Sequence, residues 1–358
     1  MQKALITPKQ LETCTINIPG SKSYTNRALI IAALAKGKTT LINPLFSDDT
    51  QYTIDALKKL GTKIKRTKND DLEIHGTGGQ FSNPKEILFL GNAGTGIRFL
   101  TALLALAPFK SRITGNMRMQ KRPIKDLLNG LRQLGAKIES VNKNGYPPVR
   151  TKGATIKGGT VELSGKISSQ FLSAILIVAP YAQNDVTIKI SDELVSKPYV
   201  DMTLGIMKAF GIEVDNKNYK KFIIKSEQEY TPREYIIEGD ASSATYFFAL
   251  SALHDTPIYL QNIDRSNSQA DIHFLDVLEK MGCKIIENEN GITIKAPKEL
   301  KAPGKIDLNH MPDAAMTVAI MAAFTKGKTI LSNIANLRVK ETDRIAALVK
   351  ELSKLGVE

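Results

Sequence analysis

The sequence predicts an α/β protein that repeats one supersecondary unit of about 73 residues. The first of two recurring patterns is Leu, Met or Phe followed by Gly, at the end of an amphipathic helix and before a β-branched stretch. It occurs at Gly61, Gly135, Gly211, Gly282 and Gly356. Glycine suits the left-handed residue that closes a helix because it has no Cβ. We therefore expect each glycine to end one helix and to precede a strand.

The second pattern is a small or polar segment that opens an apolar helix. It occurs at Ser23, Thr95, Ser168, Ser242 and Ala314. A short β-rich strand such as 39–43 or 329–333 follows most of these helices, so each unit is predicted to contain two helices alternating with several strands. In the first four units the strand after the glycine returns as a hairpin, as at 72–75. The fifth unit stops within a predicted strand at 355–358, so we expect a C-terminally incomplete version of a longer protein.

Length and composition indicate a folded protein of several domains. At roughly 150 residues per domain, 358 residues predict two or three domains. Hydrophobic residues make up 42% and charged residues 24% of the chain, which favours a buried core over disorder. The sequence contains no apolar run near the ~18 residues that a membrane helix needs, and no secretory h-region. Cys14 and Cys283 form no disulfide or zinc pattern, so a reducing cytoplasm is the expected compartment.

The charge balance is basic, with 49 Lys and Arg against 36 Asp and Glu and a formal net charge of +13. Such an excess is compatible with nucleic-acid binding. However, the basic residues are scattered lysines without a basic tail or zinc finger, and aromatic residues make up only 6%. We therefore favour a solvated lysine-rich surface and a positive field that attracts small anions. The four histidines lack metal-ligand spacing, so no metal site is predicted.

Two glycine-containing loops open predicted helices, at 20–23 and 91–96. A helix N-terminus binds phosphate and carboxylate groups through its free N–H donors and positive dipole end. Neither loop matches a nucleotide motif, because Thr15 stands where a Walker A motif needs glycine and 91–96 lacks the dinucleotide spacing. Alone, each loop is equally typical of a tight turn before a helix. Their recurrence at one phase of the repeat favours several helix N-termini around one anion-binding cleft.

Charged residues cluster in two further segments, 117–123 and 338–344. Such runs are typical of solvated faces; alternatively, their arginines bind the carboxylate or phosphate of a ligand. Asp313 precedes an apolar helix and Glu341 lies among cations, so helix capping and a salt bridge are their ordinary roles. Beside cations and a bound anion, either carboxylate would instead be suited to proton transfer.

A set of motifs in fixed order links the chain to a known family. The motifs are PGSKSYTNRA at 19–28, LFLGNAGT at 88–95, KRP at 121–123, ISSQF at 167–171, SKPY at 196–199, EGDASS at 238–243, NHMPDAA at 309–315 and RVKETDR at 338–344. With them the chain resembles the bacterial EPSP synthase family, the 3-phosphoshikimate 1-carboxyvinyltransferases, over essentially its whole length. Any one motif is weak, whereas the series is highly specific.

The resemblance implies an enzyme of the shikimate pathway, which leads to aromatic amino acids and is the target of glyphosate. The enzyme transfers the enolpyruvyl group of phosphoenolpyruvate to the 5-hydroxyl of shikimate 3-phosphate and releases phosphate, by addition followed by elimination. No metal or organic cofactor is implied. The implied protein is a cytoplasmic monomer that binds these small molecules and neither nucleic acid nor membrane.

The family fold implied by the resemblance has two domains, each of three βαβαββ units, which close on the substrates like a clamp. We expect five of the six units here, the fifth of them incomplete. Residues 20–239 would form the first domain with three units. Residues 1–19 and 240–358 would form an incomplete second domain.

Site residues follow from the resemblance position by position. The implied catalytic residues are Lys22 for charge stabilisation, Asp313 as the base for the 5-hydroxyl, and Glu341 for proton transfer at the methylene carbon. The implied ligands of shikimate 3-phosphate are Lys22, Ser23, Arg27, Ser168, Ser169, Gln170, Ser196, Tyr199, Asp313, Asn336 and Lys340. The implied ligands of phosphoenolpyruvate are Lys22, Asn92, Gly94, Arg122, Gln170 and Arg344.

The sequence departs from the family at two places. It stops before the sixth unit, which supplies an Arg and a Lys to the phosphoenolpyruvate site, so we expect shikimate 3-phosphate to bind better than phosphoenolpyruvate. Phe99 stands where the family has Pro. The alternatives are the sister enzyme, UDP-N-acetylglucosamine enolpyruvyl transferase, and a noncatalytic anion-binding fragment. The sister family uses a reactive cysteine in a loop that corresponds to 116–123, which contains none.

Overall fold

The computed structural model describes residues 5, 7, 10–166 and 168–357, and it divides into two compact units. The larger unit contains residues 19–238 and 333–356. The smaller unit contains the described residues up to Ile18, together with 239–332 and Val357. Residues 333–356 thus lie in the larger unit, whereas the family resemblance implies that 240–358 belong to the second domain. The assignment of 333–358 to a domain stays a prediction.

Helices and strands alternate along the chain. The helices are α1 Lys22–Leu34, α2 Asp48–Lys59, α3 Gly94–Leu104, α4 Lys125–Gln133, α5 Ser169–Val178, α6 Lys197–Ala209, α7 Ala241–His254, α8 Phe274–Lys280, α9 Ala315–Ala322 and α10 Arg344–Lys354. The strands are β1 Cys14–Asn17, β2 Lys36–Ile42, β3 Lys63–Arg66, β4 Leu72–Thr77, β5 Leu88–Phe89, β6 Lys110–Thr114, β7 Ile138–Ser140, β8 Val149–Lys152, β9 Gly159–Leu163, β10 Val186–Ile190, β11 Val214–Lys217, β12 Lys221–Ile224, β13 Glu234–Ile236, β14 Ile258–Gln261, β15 Lys284–Asn288, β16 Gly291–Lys295, β17 Lys305–Asp307 and β18 Ile330–Ser332.

The sheets repeat one topology, as the sequence pattern predicts. The strand orders β13-β2-β4-β3, β5-β6-β8-β7, β9-β10-β12-β11 and β1-β14-β16-β15 each combine one parallel pair with an antiparallel hairpin. The third of these follows the chain as β9, α5, β10, α6, β11 and β12, which is the βαβαββ unit. The parallel pair of β17 and β18, joined through α9, begins a fifth unit. The predicted α/β class and the repeated unit are therefore confirmed.

Two strands come from distant parts of the chain. In the larger unit, β13 pairs with β2, and in the smaller unit, β1 pairs with β14. An asparagine with positive φ follows β2 and β14, namely Asn43 and Asn262. Asn43 Nδ2 donates to Ile237 O at 3.1 Å, and Asn262 Nδ2 donates to Ile18 O at 2.9 Å. In both units, therefore, a hydrogen bond from an asparagine side-chain amide connects the loop after one strand to the segment that carries the distant strand, β13 or β1.

The helix ends agree with the glycine pattern. The glycines at 61, 135, 211, 282 and 356 have φ values of 95°, 96°, 90°, 98° and 78°, which lie in the left-handed region. Their predicted role as residues that close a helix is confirmed. None of the helices in the described ranges is long and apolar enough to cross a membrane.

Helices α1, α3 and α5 pack in the interior of the larger unit, and this packing limits where their polar side chains lie. Helix α3 contacts both α1 and α5, and residues 28–35 of α1 and its C-cap are fully buried. A helix that is apolar on all faces belongs in a core. Beyond their first turns these helices are mostly apolar, so most of their polar side chains lie at the N-terminal ends.

Candidate functional site

The N-terminal parts of α1, α3, α5 and α6 come together in the larger unit. Gln170 of α5 donates through Nε2 to Thr95 Oγ1 of α3 at 3.2 Å. Arg27 of α1 donates through Nη2 to the carbonyl oxygen of Tyr199 in α6 at 3.0 Å, and its guanidinium lies 5.4 Å from the ring centroid of Phe99 in α3. Of the five recurring helix starts, those of α1, α3 and α5 share this region, whereas those of α7 and α9 belong to the smaller unit. Helix α6 was not part of the recurring pattern, and the predicted role of the region in anion binding stays a prediction.

Arg122 lies against the loop that opens α3. The side chain is only 3% exposed, and Nη1 donates to Asn92 O at 2.9 Å. A Cβ built on Gly94 would lie 2.3 Å from Nη2 of Arg122, so only glycine leaves room for this guanidinium. Burial lowers the pKa of Arg122, and the nearby Glu341 carboxylate opposes that effect. The geometry joins three of the residues predicted to bind phosphoenolpyruvate.

Glu341 links two of the predicted anion-binding arginines. Its Oε1 accepts from Arg122 Nη2 at 3.3 Å, and its Oε2 accepts from Arg344 Nη2 at 2.6 Å. Burial by itself would raise the pKa of Glu341, but Arg122 and Arg344 together lower it to about 2. The carboxylate is therefore ionised at neutral pH. The salt-bridge role considered for Glu341 is confirmed.

Arg118 attaches the backbone of this segment to the 116–122 loop. Its Nε donates to Glu341 O at 3.0 Å and its Nη2 donates to Lys340 O at 2.8 Å. These two carbonyls are consecutive, and they precede α10, whose N-terminus is capped by Asp343 through Ala346 N at 3.0 Å.

Arg27 is held by the protein on three sides. Nη1 donates to Ser23 O at 2.9 Å, Nη2 to Tyr199 O at 3.0 Å and Nε to Thr203 Oγ1 at 2.8 Å. The residue is 1% exposed, and burial lowers the pKa of its guanidinium to about 10. The bonds use three of the five N–H donors and leave one on each terminal nitrogen.

The residues predicted to bind the 3-phosphate lie at helix starts or in the 333–356 segment. Ser168 is the N-cap of α5 and accepts a backbone N–H at 3.3 Å, while Ser169 begins that helix. Ser196 precedes α6 with φ of 55°, and its side chain makes no capping bond. Lys340 follows the short 3₁₀ helix Ala335–Val339, which contains Asn336.

Asn336 carries an unusual feature for a partly exposed residue. Its Oδ1 atom is buried without a hydrogen-bond partner in the structure. Burying an acceptor without a donor costs about 1–3 kcal/mol. A ligand hydroxyl would supply the missing donor, which agrees with the predicted role of Asn336 in binding shikimate 3-phosphate.

Lys22 and Asp313 occupy different units. Lys22, the first residue of α1, lies in the larger unit, 3.7 Å from Asp49 Oδ2 through its Nζ atom. Asp313 lies in the smaller unit, within the 3₁₀ turn Pro312–Ala314 that precedes α9. Met311 is the N-cap of this turn, so the N-cap role considered for Asp313 is wrong. The reason is that proline favours the first helical position and starts the turn one residue earlier.

One residue of the site was missed by the sequence reasoning. Arg98 of α3 is 5% exposed, and its Nη1 donates to Gln170 Oε1 at 2.6 Å and to Gly94 O at 3.2 Å. Burial, assisted by the positive charge of Arg122, lowers the pKa of Arg98 to about 9. The sequence signal that could have identified Arg98 is an arginine inside the apolar run of α3, four residues after Gly94. Ile167, the first residue of the ISSQF motif, lies outside the described residues.

Comparisons with known proteins point to one family over nearly the whole chain. The family model of EPSP synthase (3-phosphoshikimate 1-carboxyvinyltransferase) matches residues 6–358. The 3-phosphoshikimate 1-carboxyvinyltransferase of Vibrio atlanticus is 47% identical over 361 residues, covering 100% of this chain and 84% of the relative. That of Cronobacter sakazakii is 50% identical over 347 residues, covering 96% and 80%. The solved structure of EPSP synthase from Acinetobacter baumannii superposes with a TM-score of 0.80 at 28% identity, covering 97% of this chain and 79% of the other.

Proposed function

The chain belongs to the EPSP synthase family, and from that premise we propose how its residues divide the work of the reaction. The activity is 3-phosphoshikimate 1-carboxyvinyl transfer, in which the enolpyruvyl group of phosphoenolpyruvate passes to shikimate 3-phosphate and phosphate is released. The observation that supports the division is the carboxylate of Glu341 between Arg122 and Arg344. Both arginines match family ligands of phosphoenolpyruvate.

The cations of Arg122 and Arg344 bind the phosphate and the carboxylate of phosphoenolpyruvate, respectively. Arginine is suited to both groups because its fork of N–H donors forms charge-assisted, bidentate contacts. Gly94 keeps the space that the Arg122 guanidinium occupies. In a cleft that excludes water, cations aimed at developing charge contribute most of the catalytic effect.

Glu341 becomes a proton donor only when the substrate displaces its own carboxylate from the arginines. With a pKa of about 2, it holds almost no proton at neutral pH. When a substrate anion pairs with Arg122 and Arg344, these cations no longer lower the pKa of Glu341, while burial continues to raise it. Binding of phosphoenolpyruvate thus prepares Glu341 for proton transfer at the methylene carbon.

The reaction follows from these roles in two steps. Asp313 takes the proton of the 5-hydroxyl, the oxygen bonds to C2 of phosphoenolpyruvate, and the methylene carbon C3 gains a proton from Glu341. Lys22 stabilises the charge that develops during this addition. The bond between C2 and the phosphate oxygen then breaks, C3 returns a proton to Glu341, and Asp313 passes the former 5-hydroxyl proton to the departing phosphate. The proton and charge balance closes within these three side chains and the two substrates.

Shikimate 3-phosphate is bound through its phosphate by Ser168, Ser169, Ser196 and Lys340. The hydroxyl of Ser168 accepts the N-cap bond, so its O–H is still able to donate to a phosphate oxygen. The site is completed for the shikimate ring by residues that match the family: Ser23, Arg27, Gln170, Tyr199 and Asn336. Helix N-termini favour an anion at this place.

Calorimetric titration with shikimate 3-phosphate tests the assignment of the phosphate site. Lys340→Met removes one cation from the phosphate, and a charge-assisted bond of about 1.5–3 kcal/mol corresponds to about 10- to 150-fold weaker binding. Lys350→Met is the matched control, because Lys350 is an exposed lysine of the adjacent α10. Equal binding by the wild type and Lys340→Met would contradict the assignment.

The sister reaction on UDP-N-acetylglucosamine is not favoured, because the family match and the named relatives agree on the shikimate substrate. We further propose that the protein is a monomer of the cytoplasm and that residues 20–239 form one of two domains. The absence of a disulfide pattern from the sequence supports the proposed compartment.

A further inference from the structure

The side chain of Arg118 binds the backbone between the 3₁₀ helix Ala335–Val339 and α10. Its Nε and Nη2 atoms donate to the carbonyl oxygens of Glu341 and Lys340, at 3.0 and 2.8 Å. A guanidinium is planar and presents its donors in a fixed fork, so two adjacent acceptors fix its orientation and its orientation fixes theirs. A lysine at this position would offer a single ammonium group on a flexible stem.

The two carbonyls belong to residues with different proposed tasks. The side chain of Glu341 reaches Arg122 and Arg344, whereas Lys340 is assigned to the 3-phosphate of the other substrate. A rotation of the backbone at 340–341 would move both side chains at once. We propose that Arg118 is a positioning residue, which fixes this backbone so that Glu341 lies between its two arginines and Lys340 is set for the phosphate.

This inference rests on the proposed function for Lys340, but its consequence for Glu341 is independent of any substrate. The charged groups that face Glu341 are Arg98 from α3, Arg118 and Arg122 from the 116–122 loop, and Arg344 from α10. Replacing Arg118 by methionine removes a charge and the fork, and replacing it by lysine removes the fork alone. The pair of variants therefore separates positioning from the field of one cation.

The experiment follows the Glu341 carboxyl by carbon-13 NMR with carboxyl-labelled glutamate, from pH 7 to pH 3. Glu341→Gln assigns the resonance. The wild-type signal is expected to stay at its ionised position, since its pKa is about 2. In Arg118→Met and in Arg118→Lys the signal is expected to titrate within this range. Arg112→Met, an exposed arginine of β6 in the same repeat, is expected to leave the signal unchanged.

Calorimetry with shikimate 3-phosphate supplies the second readout. Arg118→Met is expected to weaken binding about tenfold, Arg118→Lys by at least threefold, and Arg112→Met by less than twofold. Circular dichroism establishes that each variant is folded, and the lysine variant serves if the methionine variant is not. If the Glu341 signal in folded variants matches the wild type, or if lysine restores both readouts fully, the positioning role is refuted. Failure of the wild type to bind shikimate 3-phosphate would count against the proposed function, while the NMR titration would still decide the role of Arg118.

Discussion

A methyl group at Gly94 would collide with the guanidinium of Arg122. The added Cβ would lie 2.3 Å from Nη2 and 2.6 Å from Cζ, whereas ordinary contacts begin at 3.4 Å. The guanidinium must therefore retreat by about an ångström, which breaks its 2.9 Å bond to Asn92 O and alters its pairing with Glu341. The side chain is buried, so little room exists for a compensating rotamer.

The expected magnitude follows from the lost contact. One charge-assisted hydrogen bond is worth about 1.5–3 kcal/mol, so Gly94→Ala should raise KM for phosphoenolpyruvate about 10- to 150-fold. The assay is phosphate release at saturating shikimate 3-phosphate with phosphoenolpyruvate varied. Binding of shikimate 3-phosphate, measured by calorimetry, should change less than twofold, because its proposed phosphate ligands are on other elements.

Gly205→Ala provides the matched control within α6. A Cβ at Gly205 would meet nothing within 4 Å, and this glycine is exposed. Alanine in place of a mid-helix glycine should stabilise the protein by about 0.5–1 kcal/mol and leave both substrate constants unchanged. An unchanged KM for phosphoenolpyruvate in Gly94→Ala would refute the steric reasoning. So would an equal loss of affinity for both substrates, because that would indicate general unfolding of the site.

Further expectations concern acid stability, a buried cation and a strand connection. The pKa of Glu341 is lowered to about 2, so its stabilising effect is fully present above its unfolded value near 4.5 and is lost as the pH falls towards 2. Between pH 6 and pH 3, the stability advantage over Glu341→Gln in urea melts should shrink by about 1 kcal/mol, after allowance for partial exposure. Arg98→Met should leave Gln170 Oε1 without its donor and weaken shikimate 3-phosphate binding about tenfold in calorimetry. The free energy of unfolding should change by less than about 1 kcal/mol, because the substitution also removes a buried charge. Asn43→Ala should lower the free energy of unfolding by about 1–2 kcal/mol, from the lost bond to Ile237 and the positive φ, whereas Asn43→Gly should cost about half as much; equal losses would show that backbone strain is not involved.

The repeated fold was predictable because it depends on local patterns. Each Leu/Met/Phe-Gly pair marks a helix end by the backbone freedom of glycine, and the period of the pattern defines the unit without reference to the rest of the chain. The pairing of β1 with β14 and of β13 with β2 has no such local signature. It depends on which strand reaches a sheet edge in three dimensions.

Motifs in the sequence point to individual candidate residues, but they do not give the surroundings of those residues. Gly94 and Arg122 lie in separate motifs, and only the folded chain shows that one makes room for the other. Arg98 was overlooked because its contacts, to Gln170 and to the carbonyl of Gly94, come from residues that are 72 and 4 positions away in sequence. A sequence pattern shows the spacing of 4 residues, which is one helical turn, but it does not show a contact across 72 residues.

The charged segment 338–344 shows why two interpretations of one pattern need not compete. The sequence pattern is compatible with a salt bridge or with an anion-binding role, yet Glu341 forms the salt bridge with the same arginines that are proposed to bind the anion. Arginines at this place repel one another, and burial adds a desolvation cost, so a carboxylate from the protein lowers the energy of the cluster. In the proposed mechanism, a substrate anion exchanges with a group that already fits. On that proposal, the strength of substrate binding is a difference between two similar interactions, and the release of Glu341 from its arginines is part of the exchange.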